Sequence, residues 1–170
     1  MNTAWICQIP DTPLDTLWIA VTETGLAAIA FSQTQASFTD WLGRHGCDPV
    51  LYSDDKTSQA RQQILEYLAG ERKEFSLPLD WHFMNAFQAQ VLQATLAIPY
   101  GSTTTYSALA EQVGRPHAPR AIGRAEATNP IPLVIPCHRV IGKDGSLRGY
   151  GGPKGIQHKA WLLELERNHP

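Results

Sequence analysis

Apolar and polar positions alternate in short blocks over the first third of the chain. Trp5-Ile6-Cys7-Gln8-Ile9 and Leu17-Trp18-Ile19-Ala20-Val21 read as strands. Gly25-Leu26-Ala27-Ala28-Ile29-Ala30-Phe31 reads as a third, and Thr22-Glu23-Thr24-Gly25 suits a hairpin connection. A short helix is expected over 38–43. Ala60, Ile64, Leu65 and Leu68 recur at helical spacing, which predicts a helix over 58–68 ended by Gly70. Residues 75–79 predict one more strand. Residues 1–84 therefore predict an N-terminal α/β domain.

From Asn85 the period changes to that of helices. Phe87, Val91, Leu92, Thr95 and Leu96 mark one helical face, and Ile98-Pro99-Tyr100-Gly101 stops it. Thr104 or Thr105 can cap the next helix, 106–113, with Tyr106, Leu109, Ala110 and Val113 inward. After the turn Gly114-Arg115-Pro116-His117-Ala118-Pro119, a small-residue helix is expected over 120–127. Two short helices joined through such a turn resemble a helix-turn-helix. The second carries Arg120 and Arg124 among Ala121 and Gly123, so its backbone can approach a nucleic-acid groove or another helix closely. A last helix over 157–167 is expected to bury some of Ala160, Trp161, Leu163 and Leu165. Residues 85–170 predict a second, mostly helical domain.

The candidate chemistry lies between those helices. The apolar run Ile131-Pro132-Leu133-Val134-Ile135 reads as a strand that delivers Pro136-Cys137-His138-Arg139-Val140, followed by a glycine-rich stretch. A thiol beside an imidazole next to mobile backbone suggests a nucleophile, expected to be ionised at the bottom of a cleft. The thiolate is the reactive form, and a free cysteine, with a pKa of about 8.5, needs a base near neutral pH. Side chains of neighbours on an extended segment point apart. Contact between the two therefore requires a turn at Cys137 or a bridging water.

Composition narrows the setting. The chain has 170 residues, 43% of them apolar, enough for one domain or two small ones. No apolar run is long enough to span a bilayer, and no secretory signal is expected. Three scattered cysteines, Cys7, Cys47 and Cys137, cannot build a disulfide framework, which fits a reducing cytoplasm. Cys47 and the histidines His45, His82, His117, His158 and His169 are expected at the surface or in loops. Residues 1–84 hold 5 Lys and Arg against 11 Asp and Glu, a net −6, whereas residues 85–170 hold 9 against 5, a net +4. The basic half, which carries Cys137, suits a polyanion, or the two halves simply present differently charged solvated faces.

Taken together, Ile98-Pro99-Tyr100-Gly101, Thr105-Tyr106, Arg120-Ala121-Ile122-Gly123, Asn129-Pro130, Ile135-Pro136-Cys137-His138-Arg139-Val140-Ile141, Gly149-Tyr150-Gly151-Gly152 and Trp161-Leu162-Leu163 with Glu166 resemble the O6-alkylguanine-DNA alkyltransferases. The close match covers about residues 85–167. The resemblance implies an α+β fold: an N-terminal α/β, RNase H-like domain packed on a mostly helical C-terminal domain containing a helix-turn-helix. It implies a monomer that binds double-stranded DNA in the minor groove without sequence preference. The alkyl group of O6-alkylguanine, and of O4-alkylthymine as a second substrate, would pass to Cys137 in a single turnover.

The residue roles follow from the same resemblance. His138 would activate the thiol through a water, and Glu166, 29 residues downstream of Cys137, would hold the imidazole. Asn129 would brace the active-site turn. Tyr106 would donate to the flipped base and rotate the phosphate outward, while Arg120 fills the vacated stack beside Arg124, Ala121 and Gly123. Pro132, Val140, Tyr150 and Gly151 would line the base pocket. No cofactor and no metal are expected. Lys154, Lys159 and Arg148 are further candidates for phosphate contact.

The chain departs from the family pattern at Asn85-Ala86, at Leu92, at the longer Pro153-Lys154-Gly155 loop and at Glu126. Glu126 would place a negative charge on the DNA-facing helix or at the pocket rim. Two other classes compete with repair: a binding module that flags alkylated bases, and a cysteine hydrolase or thiol regulator.

Overall fold

A computed structural model describes residues 2–170 and divides the chain into two compact units, Met1–Phe83 and Met84–Pro170. In the first, β1 (Asn2–Thr12), β2 (Asp15–Val21) and β3 (Leu26–Phe31) form an antiparallel meander, and β4 (Cys47–Tyr52) adds parallel to β1, giving the order β3-β2-β1-β4. Both faces of the three meander strands are buried. Ala4, Ile6, Trp18, Ala20, Ala28 and Ala30 pack with Phe38 and Leu42 of helix α1 (Gln35–Arg44). The opposite parity, Cys7, Ile9, Leu17, Ile19 and Ile29, is buried too, and α2 (Asp54–Leu68) packs on β1 and β2. Two buried faces explain why β3 reads as a continuous apolar run.

The hairpin is anchored by a buried carboxylate. Thr22 Oγ1 donates to Asp80 Oδ2 at 2.6 Å, and Thr22 N donates to Gly25 O at 2.8 Å. At Gly25, φ is +150° and an added Cβ would stand 2.3 Å from Pro78 O, so the segment leading to Asp80 can lie against the turn only with glycine there.

Three expectations for this unit are corrected. Residues 75–79 form no strand beyond a single bridge of Leu79 to Leu26, because Pro78 has no N–H to continue a ladder. The segment Cys47-Asp48-Pro49-Val50-Leu51-Tyr52, which the apolar pattern does not mark, is a strand. It lies at the sheet edge, where proline is tolerated. Cys47 is accordingly a buried core thiol, not a loop one. Helix α2 also starts earlier than expected, with Ser53 Oγ accepting from Lys56 N as its cap.

The second unit packs α3 (Ala86–Leu96), α4 (Tyr106–Gln112), α5 (Pro119–Ala127) and α6 (Gly155–Asn168), with β5 (Thr104–Thr105) parallel to β6 (Val140–Ile141). Thr105 supplies the cap of α4, its Oγ1 accepting from Ala108 N at 3.1 Å. Gly114, at φ +74°, turns the chain between α4 and α5 into a helix-turn-helix. Val91, Leu109, Ala110, Val113, Ile122, Ala125 and Val140 form its core. Full burial of one such residue as large as Ile122 stabilises by about 1.5–3 kcal/mol. In α6 the buried stripe is His158, Lys159, Leu162, Leu165 and Glu166; Ala160 is exposed, and Trp161 and Leu163 are half-buried. Of the four apolar residues expected there, Leu165 is therefore buried, while the stripe also takes in polar side chains, and His158 is buried rather than superficial.

Phe38 is 1% exposed and sits with its ring 6.3 Å from that of Trp18. Phe38→Ala is expected to cost about 3–5 kcal/mol. Urea unfolding followed by tryptophan fluorescence checks this, since Trp5, Trp18, Trp41 and Trp81 all lie in the first unit.

Candidate active site

Residues 131–139 are a succession of turns, not the expected strand. Prolines at 130, 132 and 136 withhold the N–H groups a ladder needs, and Leu133 adopts φ +72°. Such a conformation costs a non-glycine residue about 1–3 kcal/mol and persists only where the surroundings enforce it. Here Asn129 does so. Its Oδ1 accepts from Ile131 N at 2.9 Å, and its Nδ2 donates to Ile135 O at 3.0 Å. Ile135 N closes the loop on Ile131 O, also at 3.0 Å. Gln88 of α3 fixes the approach to Asn129 by donating to Thr128 O and Thr128 Oγ1.

This frame ends in a 3-10 turn, Cys137–Arg139. The turn sends adjacent side chains to different partners. Cys137 Sγ lies 3.2 Å from Asn129 Nδ2, which donates to it. His138 points to α6, where Nε2 lies 2.8 Å from Glu166 Oε1. The same carboxylate accepts from Arg139 Nε and Nη2 at 2.9–3.1 Å and, through Oε2, from Gly101 N at 2.9 Å. Arg139 Nη1 donates to Ile98 O at 2.6 Å. His138 and Glu166 are 0% and 1% exposed, so Glu166 is not the solvent-facing residue usual near the end of a terminal helix.

Electrostatics corrects one expectation. Cys137 is 6% exposed, and its thiol is pushed up to about 12, chiefly by burial and secondarily by the charge of Glu126, against the Asn129 hydrogen bond. The resting sulfur is therefore a neutral thiol, not a thiolate. Burial likewise lowers the pKa of His138, against the opposing pull of Glu166. The imidazole is neutral at pH 7. With Nε2 donating to the carboxylate, Nδ1 is the nitrogen with an acceptor lone pair.

Tyr106 opens α4 and is half-buried. Burial, then Glu126 and then Cys137, pushes its phenol up to about 12, so it remains a hydrogen-bond donor at any physiological pH. A Cβ on Gly123 would stand 3.9 Å from two carbons of the Tyr106 ring, so α5 lies directly against that ring. Arg120, Ala121 and Arg124 are on the exposed side of α5. Pro132 and Val140 are buried, Tyr150 is half-buried with its ring edge-on to His138 at 6.3 Å, and Gly151 is exposed. Gly155 keeps the preceding loop close: a Cβ there would meet Tyr150 O at 2.1 Å.

Two charged residues lie where the sequence reading did not put them. Glu126 is buried, at 5% exposure, because it sits four residues after Ile122 on the inward stripe of α5. It places no charge on the outer face. Lys159 is fully buried and donates to Val140 O at 2.6 Å, so it meets no phosphate, whereas Arg148 and Lys154 are exposed. The role of Arg139 in the Glu166 network was also missed. The helical spacing of Lys159 and Glu166 with Leu162 was the available signal for Lys159. Among the described residues, no group of three His, Cys, Asp or Glu is arranged to hold a metal ion.

Two family models match the chain: 6-O-methylguanine DNA methyltransferase, DNA binding domain, over residues 86–168, and 6-O-methylguanine DNA methyltransferase, ribonuclease-like domain, over residues 6–81. The constitutive methylated-DNA–protein-cysteine methyltransferase of Bacillus subtilis is 42% identical over 161 residues, 92% of each chain. That of Mycobacterium leprae is 42% identical over 164 residues, 95% of this chain and 92% of its own. The crystal structure of Mycobacterium tuberculosis OGT in complex with DNA superposes with a TM-score of 0.82 at 36% identity, covering 97% of this chain and 94% of that one.

A neutral buried thiol predicts a particular pH response. Between pH 8 and 10, carboxamidomethylation of Cys137 by iodoacetamide is expected to accelerate about tenfold per pH unit, following the thiolate fraction. Peptide mass spectrometry against time checks this, and a rate already level at pH 8 would contradict it.

Proposed function

The chain belongs to the 6-O-methylguanine DNA methyltransferase family, and we propose that it repairs DNA by transferring the alkyl group of O6-alkylguanine irreversibly to its own Cys137. The observation that carries this reading is the single turn, following a helix-turn-helix in the chain, that holds Cys137 on Asn129 and His138 on Glu166. A base inside a duplex cannot reach a thiol that is 6% exposed. The nucleotide must leave the stack, at a cost of a few kcal/mol that is lowest where alkylation has weakened pairing.

The exposed α5 face supports the DNA contact. Arg120 is the side chain suited to enter the space left by the extruded base, and Ala121 and Gly123 let the helix backbone approach. Arg124 supplies a phosphate contact. Ala121 and Gly123 offer no polar group to read a base edge, which supports minor-groove binding without sequence preference, and we take the protein to act as a monomer. Three free thiols suit a reducing cytoplasm.

The chemistry balances without a cofactor. As the base enters, the Cys137 proton passes through a water to His138 Nδ1, and Glu166 stabilises the imidazolium that forms. Sulfur attacks the alkyl carbon, the new S–C bond forms as the C–O6 bond breaks, and the electron pair stays on the guanine. Tyr106 donates a hydrogen bond to the base as that charge develops, and a proton from the imidazolium or solvent completes an intact guanine. The thioether left on Cys137 has no good leaving group, so each molecule acts once. Pro132, Val140, Tyr150 and Gly151 line the space for the base. O4-alkylthymine offers the same carbon–oxygen bond for attack.

Intact-protein mass after mixing with duplex DNA containing O6-methylguanine tests the proposal. The expected result is a gain of one methyl group, in a stoichiometric burst, that is lost in Cys137→Ala. Retained lesion binding without a gain in mass would make the protein a binding module, and repeated turnover on an ester or peptide would make it a hydrolase.

A further inference from the structure

Glu126 is an ionisable group at this site to which the proposed chemistry assigns no task, and its surroundings are unusual. It is 5% exposed, and Oε2 is buried with no hydrogen-bond partner among the described residues. Oε1 is hydrogen-bonded to Thr95 Oγ1, which also lies 3.0 Å from Val91 O. A hydroxyl carries a single proton. With Glu126 ionised, that proton faces two acceptors and can satisfy only one. With Glu126 protonated, the acid donates to Thr95, Thr95 donates to Val91 O, and both bonds form. The hydrogen-bond geometry thus suits the neutral acid, while the buried ammonium nearby draws the other way.

The charged and titratable groups that face Glu126 are few. From α6 comes the Lys159 ammonium, fully buried, bound to Val140 O and 5.7 Å from the centre of the Tyr106 ring. From α4 comes the Tyr106 phenol, and from the active-site turn the Cys137 thiol; both feel the Glu126 charge. From α3, which carries no charged residue, comes Thr95. On α5 itself Arg124 lies on the exposed side.

We propose that Glu126 is a positioning residue whose charge restrains Cys137: ionised, it opposes formation of the thiolate, and on taking up a proton it releases that restraint. The inference rests on the alkyl-transfer reading above and adds to it a group that sets the rate. Burial pushes the Glu126 carboxyl up to about 7, against the Thr95 hydrogen bond and Lys159. Its charge therefore appears across neutral pH, in the range where the thiolate fraction would otherwise rise tenfold per unit. Loss of the second proton from a coupled pair is harder than loss of the first. The carboxamidomethylation rate of Cys137 consequently rises tenfold per unit below about pH 6, less steeply as Glu126 ionises, and tenfold per unit again once that charge is fully present.

Glu126→Gln removes the charge and keeps a donor for Thr95. Single-turnover methyl transfer from O6-methylguanine duplex, and carboxamidomethylation of Cys137 by iodoacetamide, are measured from pH 5.5 to 9 for the native protein and for E126Q. The ratio of E126Q to native rate is expected to climb about tenfold over that range, with its midpoint near pH 7, in both assays. Glu126→Asp, which retains a carboxyl, is expected to keep the shallower slope near pH 7 that E126Q loses. A ratio independent of pH in the iodoacetamide assay would overturn the proposal, because a purely structural role changes rates by a constant factor. If E126Q does not fold, Glu126→Met serves as the uncharged variant under the same criterion. The iodoacetamide assay reads Cys137 without DNA. A climbing ratio there with no methyl transfer would reject the repair reading and leave the restraint standing.

Discussion

The carboxylate of Glu166 is the interaction on which the catalytic unit depends. It accepts from the buried His138 imidazole, from two nitrogens of the buried Arg139 and from the backbone of Gly101. Desolvating a carboxylate and a guanidinium costs several kcal/mol per ion, and only a fully satisfied arrangement recovers it. Here three segments distant in sequence, α6, the Cys137–Arg139 turn and the turn at Ile98 to Gly101, converge on one anion. Removing that anion would leave Arg139 buried and unpaired. The network therefore couples the geometry of the turn to the docking of the last helix.

The position of His138 in this network determines what Cys137 can do. Adjacent residues in a 3-10 turn diverge, so the imidazole reaches Glu166 while the sulfur turns to Asn129. The thiol waits in neutral form, raised by burial and by Glu126, and the neutral imidazole waits to take a proton. A neutral thiol reacts slowly with oxidants, which suits a nucleophile that is used only once. Under the proposed function, activation belongs to the moment a base enters the pocket. The buried charges of Glu126 and Lys159, the one opposing and the other favouring a thiolate, adjust how readily it occurs.

Much of this architecture was readable from hydrophobic period alone. The meander of β1 to β3, helices α1 to α5 and the turn at Gly114 follow from apolar spacing, caps and glycines. Failures occurred where proline or a polar residue broke the pattern. Pro49 disguised β4, and the apolar run 131–135 imitated a strand although its prolines deny it a ladder. Buried polar residues were the larger loss. Glu126, Lys159 and Arg139 look like surface charges by composition, and only their helical register or their partners across the fold reveal otherwise. Glu166 was singled out by family resemblance, since nothing in local sequence says that a carboxylate 29 residues from a cysteine will hold the neighbouring histidine.

The claim that burial keeps His138 neutral while Glu166 holds its proton on Nε2 is most directly tested by nitrogen NMR of the imidazole in histidine-labelled native protein, titrated from pH 8 to 5.5. The expected spectrum shows the Nε2–H tautomer throughout the neutral range, with protonation delayed below the usual histidine value. An imidazolium already present at pH 7, or a ring whose proton sits on Nδ1, would contradict the account of how this thiol is activated.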